Sequence, residues 1–490
     1  MKRLILAAKA SAACTLLFFC SIYAIRDDIP TGDSGPAVDR GCIVSSSNIP
    51  DTDRYSHPSN ITFTSTDRLL IAYVNSSLGE GEGSGIAYNY KDPGGNWNPD
   101  MLVVDGNTGG PGFDPVPYQV TTGDKPLLCY YHIGDPSNWT GYIKVSTNNG
   151  ESWGTRHRLP ADSYFNSGNY DGYHVGPHQN HPLEIVVDNH PYEKGALLAA
   201  GSRENSSGWD SHIAVIPPNN YTGNETNGDA WDVIHLGTGC SGEGPIGGAF
   251  LVHSPDMMDL QIVARGGSRH SPCYKRSDDG GVTWSNSWTN ISDVGGSGVG
   301  GISLDWDNPG SSLNGWHIIA AADCGVNRNC IFVSASNDRG ATWNRVANLS
   351  NSNPKGWSDP SFRRGPDGNI HLTFSSRDGA ANIKYYVIDP YKLCNVDANA
   401  TNIGTVFQRG MDNMTITLTG TMITGRLNRP APIRVSLYDI AGKCLFQKEI
   451  TVLSDGRFTA AVPEIANIKG CCMAKLSIDG EECITKIINL

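Results

Sequence analysis

Charge is scarce in this chain. Only 18% of its 490 residues are Asp, Glu, Lys or Arg, and Lys and Arg never stand more than two together. A nucleic-acid backbone demands a basic face, so this composition argues against that class of partner. The net charge of −12 serves solubility instead. Long apolar runs are equally rare, and beyond residue 24 no segment is apolar enough to cross a bilayer as a helix. The 57 Gly, 11 Trp and 19 Tyr suit many short strands joined by Gly, Asn and Asp turns better than amphipathic helices. An almost all-β protein is expected, long enough for two domains.

The exception to the shortage of apolar runs is the N-terminus. Lys2 and Arg3 precede a mostly apolar stretch ending at Tyr23 and Ala24. Residues 1–24 therefore read as a signal peptide, too short and too early for an ordinary membrane span. The mature protein is expected to be secreted or displayed at the cell surface, with no transmembrane segment. Removing Cys14 and Cys20 with the peptide leaves eleven of thirteen cysteines. An odd number in an oxidising compartment leaves at least one unpaired. Cys129, inside the apolar PLLCYY, is the candidate for that one; Cys324 with Cys330 and Cys42 with Cys394 are candidate pairs, although spacing alone fixes neither.

A repeat organises the rest. SDDGGVTW at 277–284 packs carboxylates, glycines and a tryptophan together like a catalytic loop, yet STNNGESW at 146–153 and SNDRGATW at 336–343 share its frame, and YKDPGGNW at 90–97 keeps Asp92, Gly94 and Trp97. A catalytic loop is needed once, whereas a structural turn recurs with its fold element. Asp279 and Asp338 are thus read as turn residues, bonding backbone amides while the glycines take positive φ. The tryptophans at 97, 153, 284 and 343, with Trp231 between, give a period of roughly 60 residues, the length of one four-stranded propeller blade. Each unit also carries an apolar run such as LLIAY, PLLCYY, ALLAA, DLQIVA or WHIIAAA, and a sixth, IHLTF, follows SDPSFRRGPDGN without a box. Six blades fit residues 40–394.

In a propeller the first strand of each blade starts near the axis, so those starts should line one funnel. Reading X-Pro pairs as the starts gives His57-Pro58, Asp114-Pro115, His181-Pro182, Glu243-Gly-Pro245 and Asp359-Pro360. Proline suits a strand start because no ladder donor is needed there. The ends of the second strands offer a further ring, His132, Arg203, Arg265, Asp323 and Arg377. Converging arginines would present planar donors to a carboxylate or sulfate; rim salt bridges are the plainer reading of the same residues. The histidines of YHVGPHQNHP, His174, His178 and His181, match no standard zinc spacing. Substrate contact by His181 and His178 is the expectation for them, and neither metal nor cofactor is expected.

The boxes at blade spacing make residues 40–394 resemble the sialidase-type six-bladed propeller with BNR repeats. The resemblance implies that Glu243 in SGEGP corresponds to the family's nucleophile-assisting glutamate, and Arg265 in QIVARGG to one arginine of its carboxylate-binding triad. Asp135, in HIGDPSNW, is a loose counterpart of the acid/base aspartate. Two family features are missing: Tyr55-Ser56-His57-Pro58 stands where the family has Arg-Ile-Pro, and the nucleophilic tyrosine would fall near Trp357-Ser358-Asp359, where none occurs. A related sugar, rather than sialic acid, is what this pattern implies. Residues 400–490 lose tryptophan, alternate as in IRVSLYDIAGKCLF and are expected to form a small β-sandwich. They resemble the C-terminal sorting domain of type IX secretion, which implies export to a bacterial outer surface and the secretion machinery as a partner.

The leading expectation is a secreted glycoside hydrolase on an anionic or complex polysaccharide, with Glu243 and one of Asp114, Asp135 or Asp359 as the carboxylate pair that reaction requires. Arg265, Arg203, Arg377, His181, His132, His57 and His178 would bind the carbohydrate. A polysaccharide lyase, in which arginines neutralise a uronate and His132, His181 or a nearby tyrosine removes the C5 proton, is the alternative. A non-catalytic glycan-binding propeller is the third.

Overall fold

The computed structural model describes residues 42–50, 56, 59–75, 85–106, 110–135, 139–160, 175–205, 208–222, 231–240, 245–266, 271–291, 294, 298–308, 311–323, 330–349, 358–375 and 383–396, and the strands beyond residue 400. Six four-stranded antiparallel sheets form a propeller. Blade 1 comprises Ser59–Phe63, Leu69–Asn75, Gly85–Lys91 and Leu102–Asp105, and blade 2 Gly112–Gln119, Leu127–Ile133, Thr140–Ser146 and His157–Arg158. Blade 3 follows with Leu183–Glu184, Leu197–Asn205, Gly208–Ile216 and Asp232–Gly237, and blade 4 with Ile246–Val252, Leu260–Arg265, Cys273–Ser277 and Thr289–Asn290. Blade 5 holds Gly298–Ser303, His317–Asp323, Cys330–Ser336 and Asn344–Asn348.

Blade 6 takes three strands from its own stretch, Ser358–Arg364, Ile370–Ser375 and Ile383–Ile388, and its outermost strand, Ile43–Asn48, from the other end of the propeller. Ile43 pairs with Ile388, so the ring is closed by the propeller's own two ends. A short helix, Pro390–Cys394, follows with Asp389 as its N-cap. Cys42 and Cys394 are both buried in the cluster where the two ends meet. The disulfide among the described residues is instead Cys240–Cys273, a pair the sequence reading did not propose. Cys129 is buried and unpaired as expected, and burial pushes its thiol well above the ordinary range.

The core is six interblade layers. Along the second strand of blade 1, Leu70, Ala72 and Val74 pack towards Leu127, Cys129 and Tyr131 of blade 2, while Leu69, Ile71 and Tyr73 pack towards Ile383 and Tyr385 of blade 6. Successive side chains face opposite sides of a strand, so a strand covered on both faces is apolar at every position. That is why the runs are continuous rather than alternating.

The boxes join the third strand to the fourth, as the repeat required. Ser277 Oγ donates to Asp279 Oδ1 at 2.8 Å, and Asp279 accepts from Thr283 N at 2.9 Å and Thr283 Oγ1 at 2.6 Å. Trp284 Nε1 donates to Gly281 O at 3.0 Å. Asp338 repeats this with Ser336, Thr342 and Trp343. Burial raises the Asp279 carboxyl, but the Thr283 and Ser277 bonds outweigh it and hold the group below the usual carboxylate range. Boxes also clamp blades together: Tyr88 OH donates to Gly150 O at 2.6 Å and Tyr192 OH to Gly281 O at 3.2 Å, each from the preceding blade.

Beyond residue 400 two four-stranded antiparallel sheets are formed, one ordered Ala400–Val406, Met414–Thr419, Met422–Arg426, Arg457–Ala461, the other Cys444–Ile450, Ile433–Asp439, Cys471–Ile478, Glu481–Asn489. Pairing within each sheet does not by itself support the expected β-sandwich. Among the described residues no helix is long and apolar enough to cross a membrane.

Candidate functional site

The propeller's two faces differ in which turns they carry. Boxes and the turns between first and second strands lie on one face; the starts of the first strands lie on the other, here called the mouth. In four blades a residue near the start of the first strand lies in the left-handed region: Asp114 (φ 47°), Gln179 (φ 65°), Gly247 (φ 59°) and Asp359 (φ 52°). In blades 2, 4 and 6 the pairing register shifts across that residue, between Phe113 and Val116, Ile246 and Ala249, and Ser358 and Ser361. A bulge of this kind re-aims a side chain, and a non-glycine residue held there carries strain that clusters at functional sites. Gly247 needs its missing side chain, because a Cβ would stand 2.9 Å from His178 O.

The shared bulge corrects two expected starts. Asp114-Pro115 and Asp359-Pro360 occupy the predicted position, but in blade 3 that position is Gln179 and in blade 4 it is Gly247. His181-Pro182 lies two residues farther along, where His181 faces the axial channel. Glu243-Gly-Pro245 precedes the blade 4 bulge, and Glu243 itself lies outside the described residues, as do His57, Arg377 and His174. Proline misled the alignment because it is tolerated at more than one position near a strand start.

From the mouth of blade 2 a chain of polar groups runs to blade 4. Gly247 N donates to Ser202 Oγ at 3.0 Å, Ser202 Oγ lies 2.7 Å from His178 Nδ1, and His178 Nε2 meets Asp114 Oδ2. One set of roles satisfies every group: Ser202 O–H donates to Nδ1, and a neutral His178 donates from Nε2 to an ionised Asp114, a tautomer assigned from the network. Asp114, His178 and Ser202 are all nearly inaccessible, at 5%, 2% and 1% exposure. This arrangement orients a carboxylate; it does not expose a serine nucleophile. Around it stand aromatic rings: Trp139 contacts His178 and His132 at 4.7 Å between centroids, and Trp209 contacts His178 at 5.8 Å. The Trp139 indole N–H is buried with no hydrogen-bond partner among the described residues.

The expected arginine ring is divided. Arg265 pairs with Ile246 beside the blade 4 bulge, at the register position held by His132 in blade 2 and Ser202 in blade 3. Arg203 is one residue out of that register and so takes the opposite face of its strand, directly across from buried Asp210. Asp323 shares Arg203's register, pairing with Cys330 at the end of its strand. Asp135 is exposed beyond the end of Leu127–Ile133. Asp359 is buried at the mouth of blade 6, and His132 is 1% exposed. Sequence reasoning missed Gln179, Ser202, Trp139 and Trp209. The only signal for Ser202 was its place at the end of the ALLAA strand.

Residues 67–372 match the BNR repeat-like domain. Among curated proteins, none matches the sequence. Three solved structures resemble the propeller. A protein of unknown function from Dyadobacter fermentans is 14% identical with a TM-score of 0.52, covering 70% of this chain and 98% of its own. A variant of NanB sialidase from Streptococcus pneumoniae is 11% identical with a TM-score of 0.50, covering 74% and 72%. Hadza microbial sialidase Hz136 is 12% identical with a TM-score of 0.53, covering 69% and 66%. Identities this low speak to fold alone. The matched domain takes in more than half of the chain, with blades 2 to 5 entire and parts of blades 1 and 6, and the chain belongs to the BNR repeat-like family.

Proposed function

We propose that this propeller is a glycoside hydrolase acting on an anionic or complex polysaccharide, with its reaction centre at the mouth. The observation that carries the reading is Asp114, a carboxylate held in a left-handed bulge and backed by His178, Ser202 and the Gly247 amide. The His178 Nε2 contact fixes the direction in which the Asp114 carboxylate points, which suits a group that stabilises positive charge at the anomeric centre or activates water. Its counterpart, the proton donor, is assigned to Glu243, with Asp359 at the equivalent bulge of blade 6 as the second candidate. Arg265, on the same register as Ser202, would take an acidic group of the polymer. Two sialidases among the fold's relatives agree with a sugar substrate. The N-terminal apolar stretch and the C-terminal segment fit export, where polysaccharide is met.

In the lyase reading His132, His181 or a nearby tyrosine would remove the proton, and the two readings differ in the chain ends they leave. Incubation with a polysaccharide panel, with reducing ends and ultraviolet absorbance both recorded, is the test. Reducing ends without unsaturated ends are expected, and Asp114→Asn should lower their production at least about 100-fold with folding intact. Unsaturated ends would replace the hydrolase with a lyase, and binding without either product would replace it with a recognition module.

A further inference from the structure

We propose that the axial cavity opening on the box face is a second ligand site, separate from the mouth, for a small hydroxylated carboxylate of the sugar-acid class. The cavity has a volume of about 510 Å³ and extends from Asn180 and His181 down to the turns at Ser65 and Lys125. That is the size of a small-molecule site. Four charged residues line it, Asp67, Lys125, Arg363 and Arg364, three of them cationic.

The cations lack counter-charge where it matters. Arg363 lies 4.8 Å over the Tyr118 ring, and among the described residues no carboxylate forms an ion pair with it. Its nearest acid, Glu184, is already engaged, accepting from Thr121 N and Thr122 N at 2.8 Å, Thr121 Oγ1 at 2.9 Å and Tyr118 OH at 3.2 Å. Arg364 reaches Asp305 only at 3.6 Å through Nη2, and its Nη1 is buried with no hydrogen-bond partner. Arg363 has the neutral Tyr118 hydroxyl as an acceptor, whereas a buried Arg364 Nη1 without one is costly, and an oxyanion between the two guanidiniums would remove that cost and supply the missing counter-charge.

The hydroxyl half of the assignment comes from His181. Burial and the neighbouring Arg363 charge hold its pKa well below the ordinary value, so the ring is neutral. It bonds to the Ile61 backbone, and its Nε2 is buried with no partner. A neutral imidazole whose other nitrogen donates presents Nε2 as an acceptor, which suits a ligand hydroxyl and not a second anion. Tyr118 and Phe250 supply ring faces between these polar groups. Above the cavity, Asn60 Nδ2 donates to Gln179 O at 2.8 Å and Asn180 Nδ2 to Val299 O at 2.9 Å, tying the first strands together between cavity and mouth.

Calorimetric titration of the full chain with glucuronate, glucose and sulfate tests the assignment. Glucuronate should bind one to one; glucose, lacking the carboxylate, and sulfate, lacking sugar hydroxyls, should each bind at least about tenfold more weakly. Arg363→Met keeps an aliphatic stem on Tyr118 and should weaken glucuronate at least about tenfold, with Arg364→Met as a second variant should the first fail to fold. His181→Phe should abolish the advantage of glucuronate over sulfate. Asp114→Asn, which stops turnover if the mouth is the reaction centre, should leave this affinity alone. No heat with glucuronate, equal affinity for sulfate, indifference to both arginine variants in folded protein, or loss on Asp114→Asn would each overturn the proposal.

Discussion

The two faces of the propeller use repetition differently. On the box face the same residues recur with the same bonds: Asp279 and Asp338 each take a serine hydroxyl, a threonine amide and a threonine hydroxyl, and Asn148 takes the serine hydroxyl and a Ser152 amide. On the mouth the backbone recurs and the residues do not, because one left-handed position carries Asp114, Gln179, Gly247 and Asp359 in turn. Where sequence and geometry repeat together, selection is for a shape common to all blades. Where geometry repeats and chemistry diverges, each blade contributes a different group to one shared space.

The comparison can be broken most forcefully through the disulfide, which lies on the mouth side, where the outer strand of blade 3 ends and the third strand of blade 4 begins. Cys240–Cys273 closes a loop of 33 residues. Replacing both cysteines with serine should cost about 3–4 kcal/mol in denaturant unfolding. If the mouth needs covalent support that the boxes do not, the loss will exceed that of any box variant. Next comes Glu243→Gln, expected to lower turnover at least about 100-fold while leaving the melting temperature unchanged. Retained turnover would move the proton donor to Asp359 and make Asp359→Asn the damaging change.

A box variant should do the reverse. Asp279→Ala removes a turn's acceptor and should cost about 1 kcal/mol of stability, yet leave turnover per folded molecule nearly intact. Lost turnover at unchanged melting temperature would place the chemistry on the box face. The smallest effect at neutral pH belongs to another box-face feature. His253 Nδ1 lies 2.8 Å from His317 Nε2, with Gln261 and Ser303 as their outer partners. Burial, reinforced by Arg276, pulls His253 down to about 4, and burial with the His253 charge pulls His317 lower than its ordinary value. Both folded-state values lie below the unfolded one of about 6.5, so the unfolded chain binds more protons in acid. Melting temperature should be flat above pH 6.5 and fall between there and pH 4. His317→Gln should flatten that slope, and an unchanged slope would assign the acid sensitivity elsewhere.

Much of the fold was legible because the propeller is a repeat. The box tryptophans set the period, and the unbroken apolar runs marked second strands buried on both faces. The blade 6 closure was not legible: IVSSSN at 43–48 is exposed along most of its length and carries no apolar pattern, its pairing being made by backbone alone. At the mouth, Asp114 and Asp359 were found because each stands before a proline at a strand start. Gln179 was missed because nothing in a glutamine announces positive φ. The Asp114, His178 and Ser202 chain was half visible, since two members were candidates, while the third depended on which neighbouring blade faced it.

The closing strand sets a schedule for the chain. Residues 43–48 leave the ribosome among the first, yet their partners at 384–388 are made more than 300 residues later. Until then the third strand of the last blade does not exist, and the early segment waits as an unmatched strand able to pair with other chains. Loop-closure entropy over such a span falls on the final step of ring formation, so assembly of this protein should be slow and held up at its last hydrogen-bonded ladder. That delay keeps the ring open until its last blade is made, and the propeller becomes whole only when both of its ends have arrived.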